Sequence, residues 1–247
     1  MKTLRAIFDS KRSDAGTATK PNFYLEPYLR NVVGFSIDMV IVPNTMYVIN
    51  SHNNSLQFLA ADGTSFSTTI GIKDYTPSEL ATVVEDALNA TDTDASRTYT
   101  CDYDSETLKF TLATNQLSGF TLGFGGLNAV LGFGYNVSID QSGTEGTKMG
   151  DLNLPEYLLL KSKTLGQLLC NSGTYLNGVQ KSNTLCAIPM TEGFGSFVHY
   201  TPQYRYEFST PENHINNIEF ELVNPDNNST AELNGYGFTV SITFYCE

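Results

Sequence analysis

The sequence predicts a mainly β protein in which two antiparallel sheets pack as a sandwich, and three observations lead there. Apolar and polar residues alternate in about ten short segments, as in FSIDMVI at residues 35–41, and this period of two is that of a strand with one buried face. Proline and asparagine clusters separate the segments, as expected of turns between strands. Only one segment has a clear helical period.

The first predicted strands surround a proline corner and a turn. Residues 35–43 alternate and then stop at Pro43, which has no N–H to donate to a neighbouring strand. A second extended run is predicted at 46–49. The turn cluster NSHNN at 50–54 then leads to a third strand that begins at Leu56. These consecutive short strands indicate antiparallel pairing.

Residues 76–88 carry the helical pattern. Thr76 is the predicted N-cap, Pro77 stands at the first helical position, and Glu79 completes a capping box. Apolar residues then recur at positions 80, 83, 84, 87 and 88, which form one stripe on a helix of about three turns. A stripe of this kind is typical of a face that packs against a core.

The helix belongs to a predicted insertion. A hairpin over 98–113 and a single helical turn over 127–133 (LNAVLGF) follow it, so residues 72–134 are predicted to form a strand-helix-hairpin module. The module interrupts a β body that spans 35–247, and further alternating segments after residue 152 complete the two sheets. The predicted fold is therefore an antiparallel β-sandwich of single jelly-roll type with an inserted helix-plus-hairpin module.

Charge is unevenly distributed along the chain. The 247 residues carry a formal net charge of -12 and a pI of about 4.6, which disfavours specific binding to nucleic acid. Residues 1–34 lack core periodicity and are predicted to form an N-terminal arm, and the first 30 of them hold six of the 14 Lys and Arg residues against three acids. The arm is predicted to be either a mobile, solvated terminus or a segment that docks on an acidic neighbour.

Neither a membrane span nor a secretory signal is expected. No apolar run approaches the eighteen or so residues that a span requires, and the segment MKTLRAIFDSKR lacks a long apolar stretch. The four cysteines are at positions 101, 170, 186 and 246, with no C-x-x-C spacing and no nearby histidine. They are predicted to be free thiols in a reducing compartment.

The side chains needed for catalysis are not grouped in the sequence. His52, His199 and His214 are isolated, and the glycines between 123 and 134 do not match a nucleotide-binding motif. The acids at 102–106 depart from the calcium-loop pattern after the second acid. We therefore predict that the protein is not an enzyme, with no catalytic residues, no cofactor and no metal site.

Several motifs resemble the minor capsid (penton) proteins of polinton-like viruses, virophages and related large eukaryotic DNA viruses. The similar segments lie across nearly the whole chain, and the turn NPDNNSTAELNG departs from the family pattern by its greater length. The segments are FDSKR, NFYLEPYLRNVVGFSIDMVIVPNTMYVINSHNNSLQF and YTPSELATVVEDALN in the first half, and LPEYLLLKS, LCAIPM, FGSFVHY, INNIEFELVNPD and LNGYGFTVSITF in the second.

This resemblance implies a structural virion protein that forms a homopentamer at the vertices of an icosahedral double-stranded DNA virus capsid, assembled in the host cytoplasm or nucleus. It also implies contacts with major capsid protein capsomers, and possible contacts with other minor capsid proteins, through the N-terminal arm. The alternative is a phage-like tail or baseplate protein, or a receptor- or carbohydrate-binding β-sandwich. Oligomeric state separates the two, since a vertex needs five copies and a fibre or baseplate part commonly has three.

Overall fold

The chain divides into two compact units in a computed structural model that describes residues 2–168, 183–202, 204–212 and 214–247. The first unit combines residues 1–46 with residues 155–247, and the second unit is the intervening segment 47–154. Strands dominate both units, and each pairing between the strands that the structure describes is antiparallel. The predicted mainly β, antiparallel fold class is confirmed.

The elements follow one another in three blocks along the chain. The first unit begins with β1 (Lys2–Asp9), β2 (Ala15–Thr17), β3 (Lys20–Leu29) and β4 (Val32–Pro43). The second unit contains β5 (Ser55–Leu59), β6 (Ser65–Thr69), α1 (Pro77–Thr91), β7 (Tyr99–Asp104), β8 (Lys109–Thr114), β9 (Phe120–Leu122), α2 (Gly126–Val130), β10 (Val137–Ile139) and β11 (Thr144–Glu145). The chain returns to the first unit with β12 (Tyr157–Lys161), α3 (Lys163–Leu168), β13 (Thr184–Pro189), β14 (Phe197–Tyr200), β15 (Arg205–Glu212), β16 (Ile215–Glu219), β17 (Glu221–Val223) and β18 (Thr239–Cys246).

One layer of the first unit is a five-stranded sheet. Its order is β1-β18-β4-β14, and β15 continues along the same side of β4 as β14. β1 pairs with β18 over its full length, from Lys2 opposite Cys246 to Asp9 opposite Thr239. The outermost described strands of this sheet are thus β1 on one side and β14 with β15 on the other.

Two three-stranded sheets form the other layer, in the orders β13-β12-β17 and β16-β3-β2. Backbone hydrogen bonds join them, because the Phe220 N–H donates to the Pro21 carbonyl and the Leu222 N–H donates to the Thr19 carbonyl, both at 3.0 Å. The strand that begins as β16 therefore continues as β17 along the β2–β3 hairpin. The layer can be described as β13, β12, β17 with β16, and β3 with β2.

Three phenylalanines hold the two layers together. Phe8 projects from β1, Phe23 from β3, and Phe220 lies between β16 and β17. The Phe8 ring centroid lies 5.1 Å from that of Phe23 and 5.4 Å from that of Phe220, and all three side chains are buried. Tilted contacts at this separation are the favoured geometry for aromatic pairs.

The second unit has a core of its own. Its sheets have the orders β10-β9-β5-β6 and β11-β8-β7. The apolar stripe of α1 contributes Leu80, Val84 and Leu88 to a buried cluster that includes Phe58 and Tyr99. The rings of Phe58 and Tyr99 meet edge to face at 5.3 Å.

The predicted helix start is confirmed. The Glu79 N–H donates to Thr76 Oγ1 at 3.3 Å, and the Thr76 N–H donates to the Glu79 carboxylate at 2.9 Å, which is the reciprocal arrangement of a capping box. Pro77 is the first residue of α1. The sequence alone therefore determines where this helix begins.

Replacing Thr76 with alanine is expected to destabilise the second unit by about 1 kcal/mol, the usual loss of an N-cap hydroxyl. Thr82→Ala is the matched control, because Thr82 is exposed within α1 and alanine favours the helix interior. Thermal unfolding should separate the two variants. Equal stability of Thr76→Ala and the parent protein would contradict the role of the cap.

A charged cluster lies beyond the C-terminus of α1. Arg97 contacts Asp94 at 3.0 Å, Asp62 at 2.8 Å and Asp92 at 3.3 Å, and the Tyr99 hydroxyl donates to Asp92 at 2.6 Å. Hydrogen bonds from Ser96 and Arg97 lower the pKa of Asp94 to about 2. The Asp94 carboxylate is therefore stabilised in its charged form.

Asp94→Asn is expected to change how stability depends on acid. A carboxyl with a depressed pKa stabilises the folded protein above its unfolded pKa of about 3.9, and this contribution is lost as the pH falls through its folded pKa. The difference in unfolding free energy between parent and variant should be largest above about pH 4 and reach its minimum only below a pH of about 2. Denaturant unfolding at a series of pH values measures it, and a difference that does not change with pH would exclude this linkage.

The observed organisation differs from the predicted division in two places. The predicted arm, residues 1–34, contains three sheet strands and the start of β4, because Phe8 and Phe23 supply core contacts. The predicted module, residues 72–134, is part of the larger segment 47–154, since β5 and β6 before it and β11 after it contribute to the same unit. The extended run predicted at 46–49 is not a strand and lies where the chain passes from the first unit to the second.

Candidate assembly edges

Three residues that the sequence analysis considered for catalysis or metal binding are exposed in the structure. His199 is exposed on β14, and His214 packs edge-on against Tyr28 at 5.0 Å. Asp104 accepts hydrogen bonds from the Glu106 N–H at 2.8 Å and from the Thr107 hydroxyl at 2.9 Å, so it closes the turn between β7 and β8. Within the described ranges, no three His, Cys, Asp or Glu side chains are grouped so that they could hold a metal ion.

Two buried cysteines are held in the thiol form. Burial raises the pKa of Cys101 to about 12, and burial likewise raises the pKa of Cys186 to about 12. Cys246 is also a free thiol, with intermediate burial, and Cys170 lies outside the described residues. In the described part of the chain, no helix is both long enough and apolar enough to cross a membrane.

The first candidate surface is the outer side of β1, here called the β1 edge (Lys2–Asp9). Ile7 is 69% exposed and Leu4 is 46% exposed, which is unusual for apolar side chains on a paired strand. Lys2 is also exposed, and the Arg5 side chain is 63% exposed. The edge therefore combines two apolar side chains with two cations.

A polar network keeps the β1 edge in place. Arg5 Nε contacts Asp38 Oδ2 on β4 at 3.2 Å and donates to Ser241 Oγ on β18 at 3.1 Å. Thr243 on β18 also donates to Asp38, at 2.9 Å. Three adjacent strands thus share one carboxylate, so the strand that carries the exposed groups is fixed to the sheet.

The β1 edge also presents backbone groups. Next to β1, the Ser10 N–H donates to the Phe238 carbonyl at 2.9 Å, which shows which residues of this ladder point toward β18. Antiparallel ladders alternate, so the N–H and C=O groups of Thr3, Arg5 and Ile7 point away from β18. No strand among the described residues pairs with this side of β1. A row of outward backbone groups is a template for another strand.

The second candidate surface, here called the β14–β15 edge, is formed by β14, β15 and Tyr204, which immediately precedes β15. Phe197 is 55% exposed and Tyr204 is 69% exposed, and Glu207 is exposed as well. Arg205 lies over the ring of Tyr245 with its guanidinium carbon 4.2 Å from the ring centroid. This edge therefore presents aromatic rings and a carboxylate.

Close packing holds β15 against β4. Gly34 of β4 lies under the Tyr206 carbonyl, and a Cβ at this position would collide with that oxygen, so glycine allows the two strands to approach. The rings of Phe35 and Tyr206 stack at 4.7 Å, and the Tyr206 hydroxyl donates to the Leu185 carbonyl of β13. Burial raises the pKa of Tyr206 to about 12, so its hydroxyl stays a donor at neutral pH.

The second unit carries a separate aromatic feature. Phe124 and Tyr135 stack on each other at 4.7 Å although they are 69% and 54% exposed. They flank α2, within the glycine-containing segment, and the backbone of His52 and Asn53 lies close to Gly126 of that helix. This pair is a flat aromatic surface beside a polar turn.

Sequence reasoning did not identify either edge of the first unit. The signal for β1 is the alternation of Leu4, Ala6 and Phe8, which is weak because alanine is small and the segment also contains cations. The signal for the β14–β15 edge is the aromatic richness of residues 194–208, which does not by itself distinguish exposed rings from buried ones. Both edges depend on strand order, which the sequence pattern does not contain.

Comparison with known proteins identifies a family. A family of unknown function, DUF5901, matches residues 4–232. The chain belongs to this family. No curated protein matches the chain.

Solved structures of similar extent come from two viruses. The mavirus penton protein aligns with 99% of this chain and 99% of its own, at 9% sequence identity and a TM-score of 0.45. A chain of the Sputnik virophage structure aligns with 99% of this chain and 98% of its own, at 11% identity and a TM-score of 0.47.

Proposed function

We propose that this protein is a structural component of a virus capsid, the subunit of a pentameric vertex capsomer in an icosahedral double-stranded DNA virus. The proposal places it in the virion, with no catalytic activity and no cofactor. Its neighbours in the shell would be capsomers of the major capsid protein and other minor capsid proteins. The sequence resemblance to penton proteins motivates this assignment.

The observation that carries the proposal is the strand order of the first unit. Taking β2 with β3, β14 with β15, and β16 with β17 as single positions leaves eight positions in chain order. One layer then has the order first, eighth, third, sixth, and the other has the order second, seventh, fourth, fifth. This order supports the proposed single jelly-roll connectivity, an architecture common in viral capsid proteins.

The two edges of the five-stranded layer support assembly into a ring. The β1 edge and the β14–β15 edge are different surfaces, and both expose apolar side chains. Contacts between unlike surfaces are heterologous, and they generate a closed ring when the rotation between neighbours closes. A vertex of an icosahedral shell requires such a ring of five.

Native mass measurement of the purified protein tests the proposal. The expected species has five times the mass of the 27.1 kDa chain. The protein should also be recovered in purified particles in proportion to their vertices. A trimer, or a monomer that does not enter particles, would contradict the proposal.

Carbohydrate binding is a second candidate function, favoured by the exposed pair of Phe124 and Tyr135. Jelly rolls also occur in lectins, and sugar rings commonly pack on exposed aromatic faces. Titration with a panel of oligosaccharides, comparing the parent protein with Phe124→Ala, tests this function. Binding that Phe124→Ala abolishes would support it, and no binding to any member of the panel would count against it.

A further inference from the structure

We propose that the β1 edge of one copy pairs with the β14–β15 edge of the next copy, in antiparallel orientation. This inference rests on the proposed function, because it names the contact by which the ring would form. The occupant of each edge is a second copy of this chain. Strand direction and the positions of the exposed apolar side chains support this occupant.

Strand direction makes the two edges compatible. Every neighbouring pair in the five-stranded sheet is antiparallel, and the sheet has four strand positions, of which two, β18 and β4, lie between the edges. β1 therefore runs opposite to β14 and β15. When copies are placed side by side around an axis along the strands, these edges meet antiparallel, and the outward backbone groups of Thr3, Arg5 and Ile7 face a strand of the neighbour.

The register across the sheet places complementary groups at similar levels. Thr3 is level with Glu207 through the pairings of Tyr245 and Gly34. Glu207 of the next copy would therefore lie opposite Thr3 and diagonal to Arg5, which shares the face of Thr3, whereas Lys2 lies on the other face of the strand. Opposite charges in neighbouring or diagonal positions stabilise a strand pair.

One pair of groups opposes this register. Arg205 is level with Arg5, and like charges directly opposite destabilise a strand pair, but Asp38 lies 3.2 Å from Arg5 and offsets part of this repulsion. Asp9 is level with His199 by the same pairings, which adds no like-charge pair.

The apolar side chains match as well. The level of Ile7 falls between the last residue of β14 and the first residue of β15, and Tyr204, which is 69% exposed, immediately precedes β15. Pairing would bury Ile7, which is otherwise 69% exposed. The contact thus combines a backbone ladder, a charged region and an apolar region.

Disulfide trapping tests this pairing directly. In the variant Thr3→Cys/Glu207→Cys, opposite residues of the two edges would have Cα atoms about 5.5 Å apart, within the range that a disulfide spans. The two positions are separated by the width of the sheet within one copy, so a bond between them must join two copies. Mild oxidation is expected to give covalent species up to a closed ring, which reducing agent should dissolve.

Three controls limit the interpretation. The parent protein under the same oxidation shows the background from its own cysteines. Asp9→Cys/Glu207→Cys places the thiols at different levels and should give no product above that background. Thr3→Cys alone should remain uncoupled, and a disulfide dimer from it would overturn the inference by showing that two β1 edges meet each other.

The native mass of the parent separates this inference from the proposed function. A parent pentamer together with no cross-link in Thr3→Cys/Glu207→Cys would overturn the edge pairing and leave the vertex proposal standing. A parent protein that is not pentameric would overturn both. Cross-linked rings from Thr3→Cys/Glu207→Cys, with clean controls, would support both.

Discussion

Replacing Phe220 with alanine is expected to destabilise the first unit by about 3–5 kcal/mol, the range for truncating a buried phenylalanine. Phe220 is 0% exposed, and its ring contacts Phe8 of the opposite layer and Phe23 of its own layer. The rigid surroundings can close only part of the space that the missing ring leaves. Such a loss is a large share of the 5–15 kcal/mol that typically stabilises a domain.

Denaturant unfolding compares Phe220→Ala with a matched control, Phe124→Ala. Phe124 has the same side chain but is 69% exposed in the second unit, so its removal should cost much less. Substitution of an exposed side chain usually changes the free energy of unfolding by less than about 1 kcal/mol. A similar loss in both variants would contradict the role given to Phe220 in joining the layers.

Deleting residues 2–9 is expected to unfold the first unit. The deletion removes all eight pairings of β1 with β18 and the buried ring of Phe8, whose loss alone costs about 3–5 kcal/mol. It also breaks the network in which Arg5 and Asp38 join three strands. If residues 2–9 were an arm that only docks on a neighbouring protein, their deletion would leave the isolated protein folded. The experiment therefore distinguishes a strand of the fold from a docking arm.

Limited proteolysis and near-ultraviolet circular dichroism measure this outcome. Ile7→Ser is the control, because it retains β1 and changes only a side chain that is 69% exposed. The control should stay folded, while the deletion should be cleaved within residues 155–247. A deletion variant that is as resistant as the parent would show that β1 contributes little to the fold.

The sequence was most informative where local rules decide the structure. The capping box at Thr76 and the apolar stripe after it placed α1 correctly, because a helix start depends on residues within one turn. The alternation in residues 35–41 likewise identified β4, whose Phe35 and Ile37 are buried. Fold class follows from such segments because each reports its own period.

Features that depend on distant residues were not predictable from the pattern. The inclusion of β1 in the sheet depends on β18, and the exposure of Ile7 depends on which strand lies beside it. The boundary between the two units at residue 47 depends on which hydrophobic core each segment joins. The sequence pattern does not show this, because apolar residues on both sides of the boundary are buried. The candidate edges could therefore be recognised only once strand order was known.

The order in which the chain is synthesised has a consequence for this architecture. Arg5 and Ser241, which bond across β1 and β18, are 236 residues apart, whereas the second unit is one continuous segment. On a ribosome, residues 47–154 can fold while later codons are still being read, but β1 must wait for β18. Contacts of such long separation form slowly. The β1 segment therefore has no partner strand for most of translation. The charges of Lys2 and Arg5 oppose aggregation of this unpaired segment during that time.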